Sequence, residues 1–355
     1  MSKMTIGDLR QKQALPLEAK IIASKQRIKE WYEYWNGDVY VSFSGGKDST
    51  VLLDLVRRVY PDVPAVFSDT GLEFPEIREF VKSFDNVEWV KPDLPFSTIL
   101  SKIGYPIISK DVSMNVKYAQ KGSCWALKRF DGLNKDGSKS SFKQRYKKYK
   151  PLINADFLIS DKCCDIMKKE PIKKYEKENK RHPYIGNMAE ESIRRTSAWL
   201  QTGCNAFNSV RPISTPIAFW TEQDVLAYIK KYNLPYASVY GELKETNGLL
   251  YFTNYKRTGC VFCGFGCHLE KEPNRFQTLA HTHPQLYDYC MRGGKYDEQT
   301  GMWIPDKGLG MAKVLDYINV KWWNDGDEAK RDEYRAKYKE KEEIEHSRKK
   351  SSQTD

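Results

Sequence analysis

The densest chemistry in this chain lies in six consecutive residues, Ser44-Gly45-Gly46-Lys47-Asp48-Ser49, between a short apolar run and a helical pattern. Two glycines at a strand-to-helix turn let backbone N–H groups approach an anion closely. The helix that follows offers its N-terminus to the same anion. Lys47 adds a point charge, and Ser44 and Ser49 add hydroxyls, with Ser42 just upstream. A Walker A loop would place glycine at Val41 and Ser or Thr at Asp48, so an ordinary P-loop is excluded. A second constellation is Cys163-Cys164 with Cys260-Val261-Phe262-Cys263, 95 residues further on. Four thiolates suit a Zn²⁺ ion or a [4Fe–4S] cluster equally well by donor chemistry. Cys204 and Cys267 keep the ligand assignment open. His268, His281 and His283 have no carboxylate at informative spacing and read as surface or core histidines rather than ligands.

The elements around these residues alternate. Residues 17–35 predict an amphipathic helix, ended by Asn36-Gly37-Asp38. Val39 to Phe43 reads as a buried strand, and Val51, Leu52, Leu55, Val56 and Val59 mark a helix after the glycine loop. A strand from Pro64 to Phe67, a helix from Pro75 to Phe84 and a strand from Val87 to Val90 complete a β-α-β-α-β series. Such a series predicts an α/β fold, a parallel sheet flanked by helices. Gly132 to Ser141 reads as an inserted loop, and helices are expected over 165–180, 189–200 and 222–232. The expected organisation is an N-terminal helix (1–37), a nucleotide-binding sheet (38–245, with an insertion at about 130–150), a cysteine-rich, mostly helical region (246–325) and a charged tail (326–355). The tail is expected to be a solvated helix that frays into a disordered end.

Composition narrows the function classes. The chain has 355 residues, 40% of them hydrophobic, which excludes a wholly disordered protein. No run of 18 apolar residues is present, and the first twenty residues contain no apolar leader stretch. A soluble cytoplasmic protein with no membrane partner is expected, in which cysteines serve as thiols or metal ligands. The net charge is +11, and residues 128–182 hold seventeen Lys and Arg against eight Asp and Glu. That local excess suits a polyanion such as tRNA or DNA, and equally a solvated helix and loop. Within it, Lys143 to Lys150 interleaves bases with two tyrosines.

The 44–49 loop resembles the PP-loop of the adenine nucleotide α-hydrolase-like superfamily, whose fold is a Rossmann-like sheet. Asp69-Thr70-Gly71-Leu72-Glu73-Phe74-Pro75-Glu76 resembles the second motif of the phosphoadenosine phosphosulfate (PAPS) reductase family, and Trp220-Thr221-Glu222-Gln223-Asp224-Val225 with Leu234-Pro235-Tyr236 resembles its late helix. The resemblance spans roughly residues 20–240. It implies that Ser42, Ser44, Gly45, Gly46, Lys47, Asp48, Ser49, Asp69, Thr70, Gly71, Arg194 and Arg195 hold the nucleotide, with Lys47, Asp48 and Asp69 nearest the chemistry. Lys162-Cys163-Cys164 followed by Lys168-Lys169-Glu170-Pro171 is similar to the assimilatory adenylylsulfate (APS) reductases, which pair Cys-Cys with a distant Cys-x-x-Cys around a [4Fe–4S] cluster. Two departures stand out: no cysteine follows Cys290, where those enzymes keep their nucleophile, and Met188 occupies the arginine position of a Gly-x-Arg-Ala-x-Glu-Ser segment.

Three activities are therefore compared. One is a sulfonucleotide reductase-like enzyme of sulfur metabolism, acting on APS or PAPS, with a redox or sulfur-donor protein as partner. The second is an ATP pyrophosphatase that adenylates a nucleic acid for sulfur insertion, as in tRNA thiolation or DNA phosphorothioation, with Asp48 helping to place Mg²⁺. The third is a non-catalytic nucleotide-binding regulator.

Overall fold

The computed structural model describes residues 4–141 and 146–351, with side chains as far as Lys339. The chain divides into two compact units: residues 1–92 with 168–260, and residues 93–167 with 261–355. This division is interleaved, unlike the four consecutive blocks expected from the sequence.

The first unit is built on a six-stranded sheet. Its strands are β1 (Val39–Ser42), β2 (Ala65–Ser68), β3 (Val87–Val90), β4 (His182–Ile185), β5 (Asn205–Ala206) and β6 (Ile213–Ser214), in the spatial order β3-β2-β1-β4-β6-β5. All neighbours are parallel except β5 and β6. The order grows outward from β1 to β3, and the chain then returns on the other side of β1 to make β4. That reversal leaves a crevice at the carboxyl ends of β1 and β4, where open α/β sheets bind ligands. The expected α/β, Rossmann-like parallel sheet flanked by helices is thus observed.

Seven helices of this unit bear on the argument: α1 (Ile6–Gln13), α2 (Leu17–Tyr34), α3 (Lys47–Arg57), α4 (Pro75–Lys82), α5 (Glu170–Asn179), α6 (Ile193–Thr202) and α7 (Glu222–Tyr232). α2 ends as the sequence predicts, with Asn36 and Gly37 at positive φ. On α3, Val51, Leu52, Leu55 and Val56 are fully buried. Each contributes at most about 1.5–3 kcal/mol by leaving water, which fixes the helix whose first turn bears the loop. α5 presses Ile172 and Tyr175 onto Tyr40 and Val66. The helix expected over 189–200 is instead a 3₁₀ turn, Ala189–Glu191, then α6, because Ser192 leaves helical geometry to cap the Arg195 N–H. A hairpin of Leu243–Thr246 and Leu249–Phe252 completes the unit.

The second unit is mostly helical, with helices at Lys110–Gln120, Arg275–Thr282, Pro284–Met291, Met311–Tyr317 and Glu328–Ser351. Ile107–Ile108 pairs in parallel with Gly264–Phe265. The tail differs from the solvated helix expected. Tyr334 and Tyr338 are buried, and Arg335 makes two hydrogen bonds to Asp316. Two tyrosines four residues apart on one face anchor it. The frayed end expected beyond Ser351 lies outside the described residues, as do Lys143, Gln144 and Arg145 of the basic run. Tyr146, from that run, is buried and bonds Asp111 at 2.5 Å, so it is a core residue and not a stacking surface.

Candidate nucleotide site

The loop leaves β1 at Ser42 and enters α3 at Lys47, as the residue types require. Gly45 holds φ at +69°, a conformation that costs any side-chain-bearing residue, and a Cβ there would lie 2.8 Å from Ile77 and Val81. Gly46 is the N-cap. Its carbonyl accepts from the Ser49 and Thr50 hydroxyls at 2.9 and 3.0 Å, while the Ser44 N–H donates to Ser49 Oγ at 3.2 Å. Gly186, just past β4, comes so close that a Cβ would stand 3.2 Å from the Asp48 carbonyl.

Lys47 is 4% exposed. Its ammonium lies 3.2 Å from Asp48 Oδ1, off the hydrogen-bonding direction, and donates to Oδ2 at 3.4 Å. Glu222 Oε1 approaches it to 3.4 Å. Burial pulls the Lys47 pKa down, but Asp48, Tyr240 and Glu222 outweigh it, and the net shift is upward. Asp48 is pushed up, chiefly by burial, against the opposing pull of Lys47. The lysine therefore stays charged at neutral pH.

Asp69 closes β2. Its N–H donates to the Val90 carbonyl at 2.8 Å, Oδ2 accepts from Arg78 at 2.9 Å, and Oδ1 is buried without a hydrogen-bond partner. A buried carboxylate oxygen left unpaired is costly, which marks it as a group awaiting a donor. Thr70 and Glu73 lock the next turn through a 2.7 Å hydroxyl bond, and Gly71 takes φ +71°.

Two adjoining cavities open here. One, of about 460 Å³, is lined by Gly46, Lys47, Asp48, Ser49, Asn187 and Arg195, together with Tyr240, Arg257 and Thr258. The other, of about 220 Å³, has Phe43, Val66, Phe67 and Ile172 on one side and Ser68, Glu73, Lys169 and Arg211 around them. Ser42, Ser44, Lys168, Ile185 and Thr258 border both. A cation-bearing compartment beside one that offers an apolar side of Phe43, Val66, Phe67 and Ile172 has the make-up of a site for a charged group attached to a ring.

The sequence-predicted residues divide accordingly. Ser42, Ser44, Gly46, Lys47, Asp48, Ser49 and Arg195 line the polar cavity; Gly45 shapes the turn, and Asp69, Thr70 and Gly71 form the neighbouring strand end. Arg194 is exposed and is not among the lining residues. Arg195 is drawn in by Glu191, with which it forms an ion pair. Met188 is 2% exposed, a core position that supplies no charge to the cavity. Glu222, Tyr240, Arg257 and Thr258 were not singled out from sequence; Glu191–Arg195 at i, i+4 was the legible signal for choosing between the two arginines.

No disulfide joins the cysteines. Cys163 is buried and Cys164 half-buried, just before a π-helical turn at Asp165–Lys169, and Cys260 and Cys263, both half-buried, flank the turn at Val261-Phe262. Among the described residues no three His, Cys, Asp or Glu side chains gather around a single-ion site. Four unbridged thiols keep the donor chemistry a [4Fe–4S] cluster takes. Burial pushes the Cys204 thiol up to about 11 and Cys267 up to about 12, and raises Cys290 further. These three are protonated, buried thiols, unlike an activated nucleophile. Burial, with Lys148, lowers the His268 pKa.

Known proteins resemble this chain over much of its length. A family model described as the phosphoadenosine phosphosulfate reductase domain matches residues 38–91 and 127–264, more than half of the chain. An uncharacterized protein of Methanocaldococcus jannaschii is 26% identical over 81% of this chain and 58% of its own length. Adenosine 5'-phosphosulfate reductases of Staphylococcus haemolyticus and Oceanobacillus iheyensis are 24% and 26% identical, over 66% and 67% of this chain and 74% and 76% of theirs. The chain thus spans little more than half of the archaeal relative. No helix among the described residues is long and apolar enough to cross a membrane.

Proposed function

The chain belongs to the phosphoadenosine phosphosulfate reductase domain family, a family that includes enzymes, and from that premise we propose that it is an adenine-nucleotide enzyme of sulfur metabolism. The observation that carries this reading is the polar cavity at the reversal of strand order, where Lys47 and the first turn of α3 meet Arg195 and Arg257. In this reading the phosphate or sulfate group of ATP, APS or PAPS lies against Gly46, Lys47 and Ser49. The adenine packs in the smaller cavity against its apolar side, Phe43, Val66, Phe67 and Ile172. Asp69 Oδ1, buried and unpartnered, accepts a hydrogen bond from the nucleotide or its water.

Cys163, Cys164, Cys260 and Cys263 would hold a [4Fe–4S] cluster, with Zn²⁺ as the alternative occupant. When bound, the cluster supplies electrostatic or electron-transfer support to sulfur chemistry. Partners in this reading are a redox or sulfur-donor protein and, through the basic residues of 128–182, a nucleic acid.

A second reading is favoured by one specific observation: Cys267 and Cys290, the last two cysteines, are buried with raised pKa values. Attack on sulfur by the thiolate of Cys267 or Cys290 is then disfavoured. ATP pyrophosphatase chemistry needs none, because an acceptor oxygen attacks the α-phosphorus, the α–β phosphoanhydride bond breaks and pyrophosphate leaves. Asp48, in the loop itself, would help to place the Mg²⁺. A panel of ATP, APS and PAPS on anaerobically purified protein, scored for pyrophosphate and sulfite together, separates the readings. Sulfite from APS or PAPS with a thiol donor supports the reductase, and AMP plus pyrophosphate from ATP supports the second. Binding without turnover of any of the three leaves the regulator.

A further inference from the structure

Lys47 is already satisfied by protein groups. Its ammonium has a carboxylate on each side, Asp48 from the next residue and Glu222 from the first turn of α7. Its backbone N–H, one of the donors that a phosphate at this helix end would take, is given instead to the Tyr240 hydroxyl at 3.0 Å. That hydroxyl is held by Thr258 at 2.8 Å.

The two carboxylates differ in their freedom to leave. Asp48 is 27% exposed and belongs to the loop itself, with Gly186 packed behind its carbonyl. The Glu222 side chain is 45% exposed, and among the described residues it makes no other ion pair. Its backbone is fixed independently: its N–H donates to Glu190 Oε1 at 2.5 Å, and Thr221 caps the helix through Asp224. The side chain can therefore swing to water without disturbing α7.

We propose that Glu222 is an internal counter-anion for Lys47, which a ligand's phosphate displaces and which sets how much negative charge a ligand must bring. Two carboxylates over-neutralise one ammonium, so a weakly charged ligand gains little from the loop lysine. A ligand with several negative charges releases Glu222 to solvent and takes its place. Glu222 is thus a specificity-determining residue that favours polyphosphate ligands over nucleoside monophosphates. The inference rests on the nucleotide reading above.

Calorimetric titration of the full chain with ATP, AMP and adenosine tests it, using wild type, Glu222→Gln, Glu222→Ala and Glu245→Gln. Glu245, on the 243–246 strand, pairs with Lys230 in the open, so its substitution makes the same change in net charge. Both Glu222 variants should bind ATP about two- to fivefold more tightly, the range for a half-exposed ion pair. AMP should gain by a larger factor than ATP, so that discrimination against it narrows, and equal gains would overturn the proposal; adenosine should be unchanged, and Glu245→Gln should match wild type throughout. Unchanged or weaker ATP binding in both Glu222 variants overturns the proposal, as does equal tightening in Glu245→Gln or for adenosine. A wild type that binds none of the three defeats the nucleotide reading instead.

Discussion

Gly45 and Gly71 hold almost the same left-handed backbone, with φ at +69° and +71°, but their surroundings differ. A methyl group on Gly45 would lie 2.8 Å from Cγ2 of Ile77 and of Val81, both buried on α4, whereas one on Gly71 would meet nothing within 4 Å. Alanine at either site carries the left-handed penalty of about 1–2 kcal/mol. Only Gly45→Ala adds overpacking, about 1–3 kcal/mol. The expected losses are about 1–2 kcal/mol for Gly71→Ala and about 2–5 kcal/mol for Gly45→Ala. At roughly 2–4 °C per kcal/mol, these correspond to Tm drops of about 2–8 °C and about 4–20 °C. Thermal unfolding followed by near-ultraviolet circular dichroism, with urea midpoints as a check, reads both. Equal losses at the two sites, or a larger one at Gly71, would refute the claim that the loop is wedged against α4.

Burial raises the Tyr184 pKa well above its usual 10, and its hydroxyl donates to the Ile28 carbonyl at 2.8 Å. The folded state thus keeps the proton longer than the unfolded chain, and the stability present below pH 10 is lost as pH rises above it. Tyr184→Phe should reduce the fall of unfolding free energy between pH 10 and 11 by about 1 kcal/mol, measured by urea denaturation; parallel slopes would contradict this. Protein purified without oxygen should carry iron and sulfide in about equal amounts, and Cys163→Ser should lose both. A colourless wild type holding one zinc would reject the cluster.

The part of this architecture legible in sequence is the part built from local periodicity. Val39 to Val90 alternates strand and helix with clear punctuation, so the loop, strands β1 to β3 and α3 follow from the residues, whereas β4, β5 and β6 were not foreseen. Ile107–Ile108 pairs with Gly264–Phe265 across more than 150 residues, and two-residue strands carry no period to read. That is why the interleaved division into two units was hidden. The residues that close the cavity from outside the loop were hidden too. Tyr240 and Thr258 reach the loop from about 200 residues away, and their types alone announce nothing. The buried tyrosines of the last helix were masked by the charge around them, although Tyr334 and Tyr338 stand at helical spacing.

The central claim is that the 44–49 loop holds the anionic group of an adenine nucleotide. It is tested most directly by calorimetric titration of ATP, APS and PAPS into wild type and Lys47→Met, with circular dichroism confirming that the variant is folded. Loss of a charged hydrogen bond predicts saturable wild-type binding of at least one of the three, and affinity about tenfold or more lower in the variant. Equal affinity in the two proteins, or no binding of any of the three by wild type, would contradict it.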